Sequence, residues 1–509
     1  MTTQTIDPQR DSVMFGARSP YLWLGVGALL WFFAGGGRWD LPLAAWLFSV
    51  FLLRFSRMSR PLVAIGSVWL VSIAAAQFWL WQMAAPIQAS TIAAGVLFGT
   101  VYALSYVLDR LFVRHLNTVA GLFLFPAALV VCEFLMGVFS PFGAGYGLRA
   151  VTQHANLPLL QITSVTGPYG IGFLIGWFAT VANWVWENPS AWRKSRIVWT
   201  YAAVLAVVLL GGGARLAFFP SHGDTVSVAG ISPSMTVIAD AQRKIGGDLP
   251  PYMQLVPHGD PAQVRAAFGL VNGELLANTR RAAEAGAKIV FWSENAAVLL
   301  GGDEAAFLAE ASAVARQERI YLNLGEHIYL SKAPYGRDQT RLIGPDGKLL
   351  WTYQKAHPIP GLETYIPGER KAAVVETPYG RLANVICYDA DFPAMMGAEA
   401  DIMLVPGGDW PEMGRVHTLG MARLRAIENG YALVRQDFNG LSAGFDRQGH
   451  VLAAQDTTGP AHHIMIVDVP VRGSATVYRS IGDVFAWACV AGTLLLSGMG
   501  IFNRRSCVR

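Results

Sequence analysis

The chain has 509 residues, of which 53% are hydrophobic and only 15% charged, against roughly 25% charged in an ordinary soluble protein. A mean hydropathy of +0.36 excludes a wholly water-soluble molecule, and a net charge of +4 with dispersed Lys and Arg excludes a nucleic-acid surface. The charge deficit is uneven, because residues 1–220 carry 19 of the 74 Asp, Glu, Lys and Arg; lipid is the expected solvent of the first part and water of most of the second.

A membrane-spanning helix needs about 20 mostly apolar residues. Seven candidates precede residue 220, at 21–37, 41–53, 62–81, 90–108, 118–139, 165–186 and 197–213, and an eighth covers 484–502. The second is short and a tight turn from Arg38 to Asp40 joins it to the first, so a re-entrant hairpin stands as the alternative to the two full spans preferred here. Short loops rich in Lys and Arg stay cytoplasmic. With the N-terminus inside, 13 Lys and Arg, including Arg10, Arg18 and Arg509, fall on the cytoplasmic side, and the opposite short loops offer only Arg38 and Arg149. The large polar segment after the seventh span is therefore expected outside the cytoplasm. No small-residue cleavage site follows the first run, which reads as a retained anchor. Within the spans, Glu133 is costly enough to be a functional suspect, although a bond to a neighbouring helix is the simpler expectation, and Gly172 with Gly176 reads as a close-packing pair.

From about residue 224 to 479 the pattern changes to short apolar runs between helical stretches. Residues 225–231, 288–292, 320–324 and 402–406 read as buried strands, 431–451 as a strand pair, and 261–285, 304–317 and 416–429 as helices. This gives an α/β architecture with three parts: 1–223, a membrane domain of seven transmembrane helices; 224–479, the catalytic domain; and 480–509, a last transmembrane helix and basic tail.

No H-E-x-x-H or paired C-x-x-C occurs and the histidines are scattered, so no metal or other cofactor is expected. Gly440-Leu441-Ser442-Ala443-Gly444 matches a nucleophile-elbow motif, but it lies between strand-like runs where that motif needs a strand turning into a helix. Of the four cysteines, Cys132 and Cys489 lie in apolar runs and Cys507 in the basic tail, which leaves Cys387 alone in the water-facing part, a free thiol at the end of an apolar run. Glu294 and Lys355 close two similar runs. A thiol needs a base or a nearby cation to react near neutral pH; Glu294 can take its proton, and Lys355 can hold the thiolate and then the oxyanion of a tetrahedral intermediate.

In order and approximate spacing, Glu294, Lys355 and Cys387 resemble the Glu-Lys-Cys triad of the nitrilase superfamily, and Tyr353-Gln354-Lys355 and Ile386-Cys387-Tyr388-Asp389 look like its lysine and cysteine motifs. Several spans before such a domain and one after it narrow the resemblance to the apolipoprotein N-acyltransferase family. Thr166-Gly167-Pro168-Tyr169-Gly170, the run from Met421 to Gly430, and Tyr478-Arg479-Ser480-Ile481-Gly482-Asp483 resemble further segments of that family. The resemblance implies an eight-helix platform carrying an α-β-β-α sandwich in the inner membrane of a bacterium, with the catalytic domain periplasmic and both termini cytoplasmic. It implies transfer of a phospholipid acyl chain, through a cysteine thioester, to the N-terminal amine of a lipoprotein. Cys387 would be the nucleophile, Glu294 the base and Lys355 the oxyanion stabiliser. Glu363, eight residues after Lys355, would be a second essential glutamate, with Tyr388 and Asp389 at the oxyanion or substrate. The family usually has Cys-Tyr-Glu where this chain has Cys387-Tyr388-Asp389, and Trp-Pro-Glu where it has Trp292-Ser293-Glu294. A membrane-anchored amidase using the same three residues and an inactive lipid binder are the alternative readings.

Overall fold

The computed structural model describes residues 19–190, 192–221, 223–245, 260–459 and 463–506. The expectations that involve Arg10, Arg18, Cys507 and Arg509 lie outside them. All eight apolar segments are helical: α1 (Pro20–Trp31), α2 (Pro42–Met58), α3 (Pro61–Gln82), α4 (Ala89–Phe112), α5 (Thr118–Phe139), α6 (Tyr169–Glu187), α7 (Arg196–Phe218) and, near the C-terminus, α11 (Val484–Ser506). Proline at the first helical position starts α1, α2 and α3, where its missing N–H costs nothing. The Asn117 side chain caps α5 by accepting from the Ala120 N–H.

The expected count of eight spans is not reached on length and apolarity. Among the described residues five helices qualify (α3, α4, α5, α7 and α11), or six if α6 and the preceding helical turns 157–166, bent by 114° from it, form one span. At 1.5 Å per residue, the 12 residues of α1 reach about 18 Å, short of the roughly 30 Å hydrocarbon core. The chain instead turns back after α1, with the Leu41 N–H donating to the Phe33 carbonyl at 2.8 Å.

Helices α5 and α6 pack tightly at the glycine pair. A Cβ on Gly176 would meet the Pro126 backbone at 2.8 Å, and one on Gly172 would strike the Glu133 carboxylate. Glu133 accepts the Arg149 N–H at 3.0 Å, a local bond of the kind expected for it.

The water-facing part holds two stacked sheets. The strands are β1 (Thr225–Ile231), β2 (Ile289–Trp292), β3 (Ala297–Leu300), β4 (Tyr321–Tyr329), β5 (Gly336–Ile343), β6 (Leu349–Gln354), β7 (Ala373–Thr377), β8 (Gly380–Asn384), β9 (Ile402–Gly408), β10 (Ala432–Phe438), β11 (Leu441–Phe445), β12 (Val451–Asp456) and β13 (Ile464–Pro470). One sheet runs in the order β13-β1-β2-β4-β5-β6, with β3 added on β4; the other runs β12-β11-β10-β9-β8-β7. Alternation along β1 and β2 divides their side chains. Val226, Val228, Ile289 and Phe291 join Leu404, Val434 and Ala443 between the sheets, while Ala229, Ile231, Val290 and Trp292 pack outward against α9 (Pro261–Glu284) and α10 (Glu304–Glu318).

The second sheet is covered by a helix from Pro411 to Asn429 whose middle, Val416–Ala422, is π-wound. Its two faces serve different cores. Ala422 and Ala426 pack on the sheet, and Met413, Met421, Leu424 and Ile427 join the core of the membrane part. The outer layer of the sandwich is thus shared with the membrane platform. The Trp410 indole also donates to the Met83 carbonyl at 2.6 Å, as does the Arg423 guanidinium to that of His154 at 2.6 Å.

Candidate active site

Several chain segments leave their strands on one side of the sandwich and converge there. Glu294 lies two residues beyond β2 and Lys355 directly after β6. The Lys355 ammonium, wholly buried, donates to Glu294 Oε1 at 2.6 Å and to Glu363 Oε1 at 2.7 Å, with Asp338 Oδ2 at 3.6 Å. Glu363 Oε2 accepts the Ile359 N–H at 2.7 Å, which ties the loop after Lys355 to the same cluster. Oxygens of Glu294, Asp338 and Glu363 lie within 4.8 Å of one another, and the ammonium among them is the cation the chain itself supplies. Burial alone would lower the Lys355 ammonium, but Glu294, Glu363 and Asp338 outweigh it and hold it well above its ordinary value. Asp338 is pushed up by burial and by Glu294, and Glu363 is raised by burial against the pull of Lys355.

Cys387 opens a 3-10 turn, Cys387–Asp391, three residues beyond β8. Its φ of +44° is the left-handed region that a non-glycine residue occupies at a cost of order 1–3 kcal/mol, a form of strain that clusters at functional sites. Asp389 holds the turn. Its carboxylate accepts from the Tyr353 hydroxyl at 2.6 Å and from the N–H groups of His357 at 2.8 Å, Ala356 at 3.2 Å and Ile386 at 3.2 Å. Asp389 is fully buried, so the structure places it as a clamp between the lysine loop and the cysteine turn. This differs from the substrate contact expected of it, because its lone pairs are already engaged.

A second ionic cluster meets the sulfur from the opposite side. Arg435 of β10 donates to Cys387 Sγ at 3.7 Å and is held by Asp409 at 2.8 Å and Asp437 at 3.3 Å. His417, on the π-wound segment, has Nδ1 2.8 Å from Asp409 Oδ1 and Nε2 3.6 Å from Asp391 Oδ2. Burial pushes the Cys387 thiol well up and Glu294 adds to this; Arg435 and, more weakly, Lys355 pull it down. Against burial, His417 and Arg435 pull the Asp409 carboxyl down, whereas burial and the neighbouring Asp409 push Asp437 up against the pull of Arg435.

The membrane part walls this site. The Ala144 N–H donates to the Asp391 carbonyl at 2.9 Å and the Tyr388 hydroxyl to that of Pro141 at 3.4 Å. Gly143, at φ +56°, lies so close that a Cβ would stand 2.9 Å from the Asp391 oxygen. On the other side of Glu294 opens a cavity of about 230 Å³, lined by Met235 and Ile238 of α8 (Met235–Ile245), Val271, His327, Tyr329 and Phe438.

Two family models match in tandem. Apolipoprotein N-acyltransferase N-terminal domain covers residues 25–181, and carbon-nitrogen hydrolase covers 266–476. The chain belongs to the apolipoprotein N-acyltransferase family. It is 24% identical over 391 residues to an apolipoprotein N-acyltransferase of Geobacter metallireducens, covering 70% of this chain and 69% of that one. To one from Caulobacter vibrioides it is 23% identical over 474 residues, covering 86% and 81%. Among solved structures, an amidase from Nesterenkonia sp. AN1 is 18% identical, covering 49% of this chain and 92% of the amidase, with a TM-score of 0.37.

Of the residues singled out in the sequence, Glu294, Lys355 and Glu363 form one bonded cluster, Cys387 faces it, and Tyr388 and Asp389 form the turn. Ser442 lies buried on β11, accepting the Asp437 N–H at 2.9 Å, in a hairpin rather than at an elbow. Sequence reasoning missed Asp338, Arg435, Asp409 and His417. The signal for Arg435 was available as a charge directly after the apolar run 431–434, within the strand, where a buried arginine demands partners.

Proposed function

We propose that this family member transfers a phospholipid acyl chain to the N-terminal amine of a lipoprotein through a thioester on Cys387. The observation that carries the reading is a thiol on a strained turn, set between a buried lysine-carboxylate cluster and a loop of the membrane part. Glu294 takes the thiol proton, and Sγ attacks the ester carbonyl of the phospholipid. The Lys355 ammonium and the Tyr388 backbone N–H stabilise the oxyanion. The lysophospholipid alkoxide leaves with the proton from Glu294, and the amine then attacks the thioester. Glu363 keeps Lys355 aimed between the two carboxylates. The apolar cavity beside Glu294 suits an acyl chain.

In this reading all eight apolar segments lie in the bacterial inner membrane, with both termini cytoplasmic and the domain from 224 to 479 periplasmic. Incubation with phospholipid should add one acyl group to the Cys387 peptide by mass spectrometry, and a diacylated lipopeptide should then discharge it as an amide. Absence of acyl adduct on folded protein sinks the thioester mechanism, and release as free fatty acid in the presence of lipopeptide makes the chain a hydrolase.

A further inference from the structure

The two cations near the sulfur are not equivalent. Lys355 donates to two carboxylates and stands beside a third, an arrangement that commits most of its N–H groups. The hydrogen bond that reaches Sγ comes from Arg435. We propose that Arg435 is a catalytic residue whose guanidinium receives Cys387 as the thiolate each time the C–S bond breaks, and that Asp409 and His417 are positioning residues that aim it. The inference rests on Cys387 being the acylated nucleophile.

The surroundings of Arg435 are built for this orientation. The guanidinium is 1% exposed, and Asp409, directly after β9, and Asp437, on its own strand, grip it. A planar fork held at two points leaves its remaining N–H directions fixed. Gly407 provides the room, since a Cβ there would stand 2.8 Å from the guanidinium carbon. A purely structural arginine would be satisfied by the two carboxylates; here the Nη2 that binds Asp409 also points at the sulfur. His417 approaches Asp409 from the π-wound turn of the 411–429 helix. Such turns recur at functional sites because the extra residue re-aims a side chain.

In the second half of the reaction the amine nitrogen attacks the thioester carbonyl carbon and gives its proton to the Glu294 carboxylate. The carbonyl re-forms as the C–S bond breaks, and the bonding pair stays on Sγ. The sulfur leaves as an anion beside Arg435, while Lys355 releases the oxyanion. The proton on Glu294 then returns to Sγ. The charged groups that face the sulfur are thus Glu294, Lys355, Asp409 and Arg435. Arg435 opposes the effect of burial on the thiol more strongly than Lys355 does.

The test uses the full-length protein in detergent, with iodoacetamide as probe and the Cys387 peptide read by mass spectrometry across pH. Relative to wild type, Arg435→Gln should raise the alkylation midpoint by about one pH unit and slow alkylation near neutral pH about tenfold. Arg435→Lys should recover most of that loss, and His417→Gln should give a smaller rise. An unchanged midpoint in R435Q whose thermal unfolding matches wild type overturns the proposal. If R435Q fails to fold because Asp409 loses its guanidinium partner, the double variant R435Q/D409N is read against the single variant Asp409→Asn, which carries the same loss of negative charge near the sulfur: the same rise between those two supports the proposal, and no rise overturns it. Acylation of wild-type Cys387 by phospholipid is measured alongside. Its failure removes the nucleophile reading itself, whereas acylation with an unmoved midpoint removes only the role of Arg435.

Discussion

Arg149 in the membrane part and Lys355 in the catalytic domain are both withdrawn from water, at 1% and 0% exposure, yet they are held in opposite ways. The Arg149 guanidinium lies over the rings of Phe48 and Tyr102, 5.2 and 4.9 Å from their centroids, and donates to the Gly147 carbonyl. The guanidinium faces a carbonyl dipole and π faces, with the Glu133 carboxylate held on the Arg149 backbone N–H rather than on the guanidinium. Lys355 is instead surrounded by three carboxylates, an excess of negative charge that leaves one of them available to take a proton. The first arrangement closes a seam between helices; the second stores a base. Burial of a charge alone therefore does not mark a catalytic centre, and what surrounds it does.

The sharpest test of the contrast is Cys387→Ala, which should abolish acyl adduct and transfer, by at least about 10³-fold, with thermal unfolding close to wild type. Next, Lys355→Met should cost about 10²–10³ in transfer rate and roughly 3–5 kcal/mol of stability, because it strands buried carboxylates. Arg149→Met should lower stability while transfer by the folded fraction falls by less than about tenfold; equal losses in both variants would erase the distinction. Glu363→Gln removes one charge-assisted bond to Lys355 but keeps an acceptor for the Ile359 N–H, so transfer should drop about tenfold to a hundredfold. Glu133→Gln should shift transfer less than about threefold and stability by about 1 kcal/mol; a loss comparable to that of K355M would place chemistry in the membrane part.

A separate effect concerns acid and stability alone. Burial pushes the His327 imidazole down to about 4, from 6.5, so it folds neutral. Below about pH 6.5 the unfolded chain binds the extra proton. Stability present above that pH should therefore fall as pH drops toward 4, by roughly 3 kcal/mol in total. Thermal unfolding of wild type and His327→Phe across this window checks it, and the variant should show a shallower decline.

Much of this architecture was legible in the residues. The 118–139 helix and the 225–231 strand appear with the expected bounds, because apolar runs bounded by Asn117, Ser140 and Asp224 leave no choice of register. The second sheet's outer helix was readable as helical, but not its π turn or its double-sided packing, since residues apolar on both faces look alike whether they meet a sheet or a membrane helix. Strand β13 went unrecognised, its alternating pattern being short and its antiparallel partner β1 lying far away in sequence. At the site, Glu294, Lys355 and Cys387 were legible as the ends of apolar runs, and Glu363 through the family resemblance. The bond from Arg435 to sulfur joins positions 48 residues apart, and nothing local announces such a pairing. Asp389 was legible as part of a motif but not as a clamp, because its partners Tyr353, Ala356 and His357 come from another strand and its loop.

The contact of Gly143 and Ala144 with the Asp391 carbonyl bears on modularity. A soluble fragment cut from 224 to 479 would keep every ionisable group of the clusters around Lys355 and Arg435 and still lack one side of its own reaction chamber. The cysteine turn would lose the partners of Tyr388 and Asp391 and, with them, the restraint on its left-handed start. Anchor and catalyst in this chain cannot be exchanged like cassettes; grafting the domain onto a foreign membrane helix would keep it at the lipid surface without rebuilding its wall.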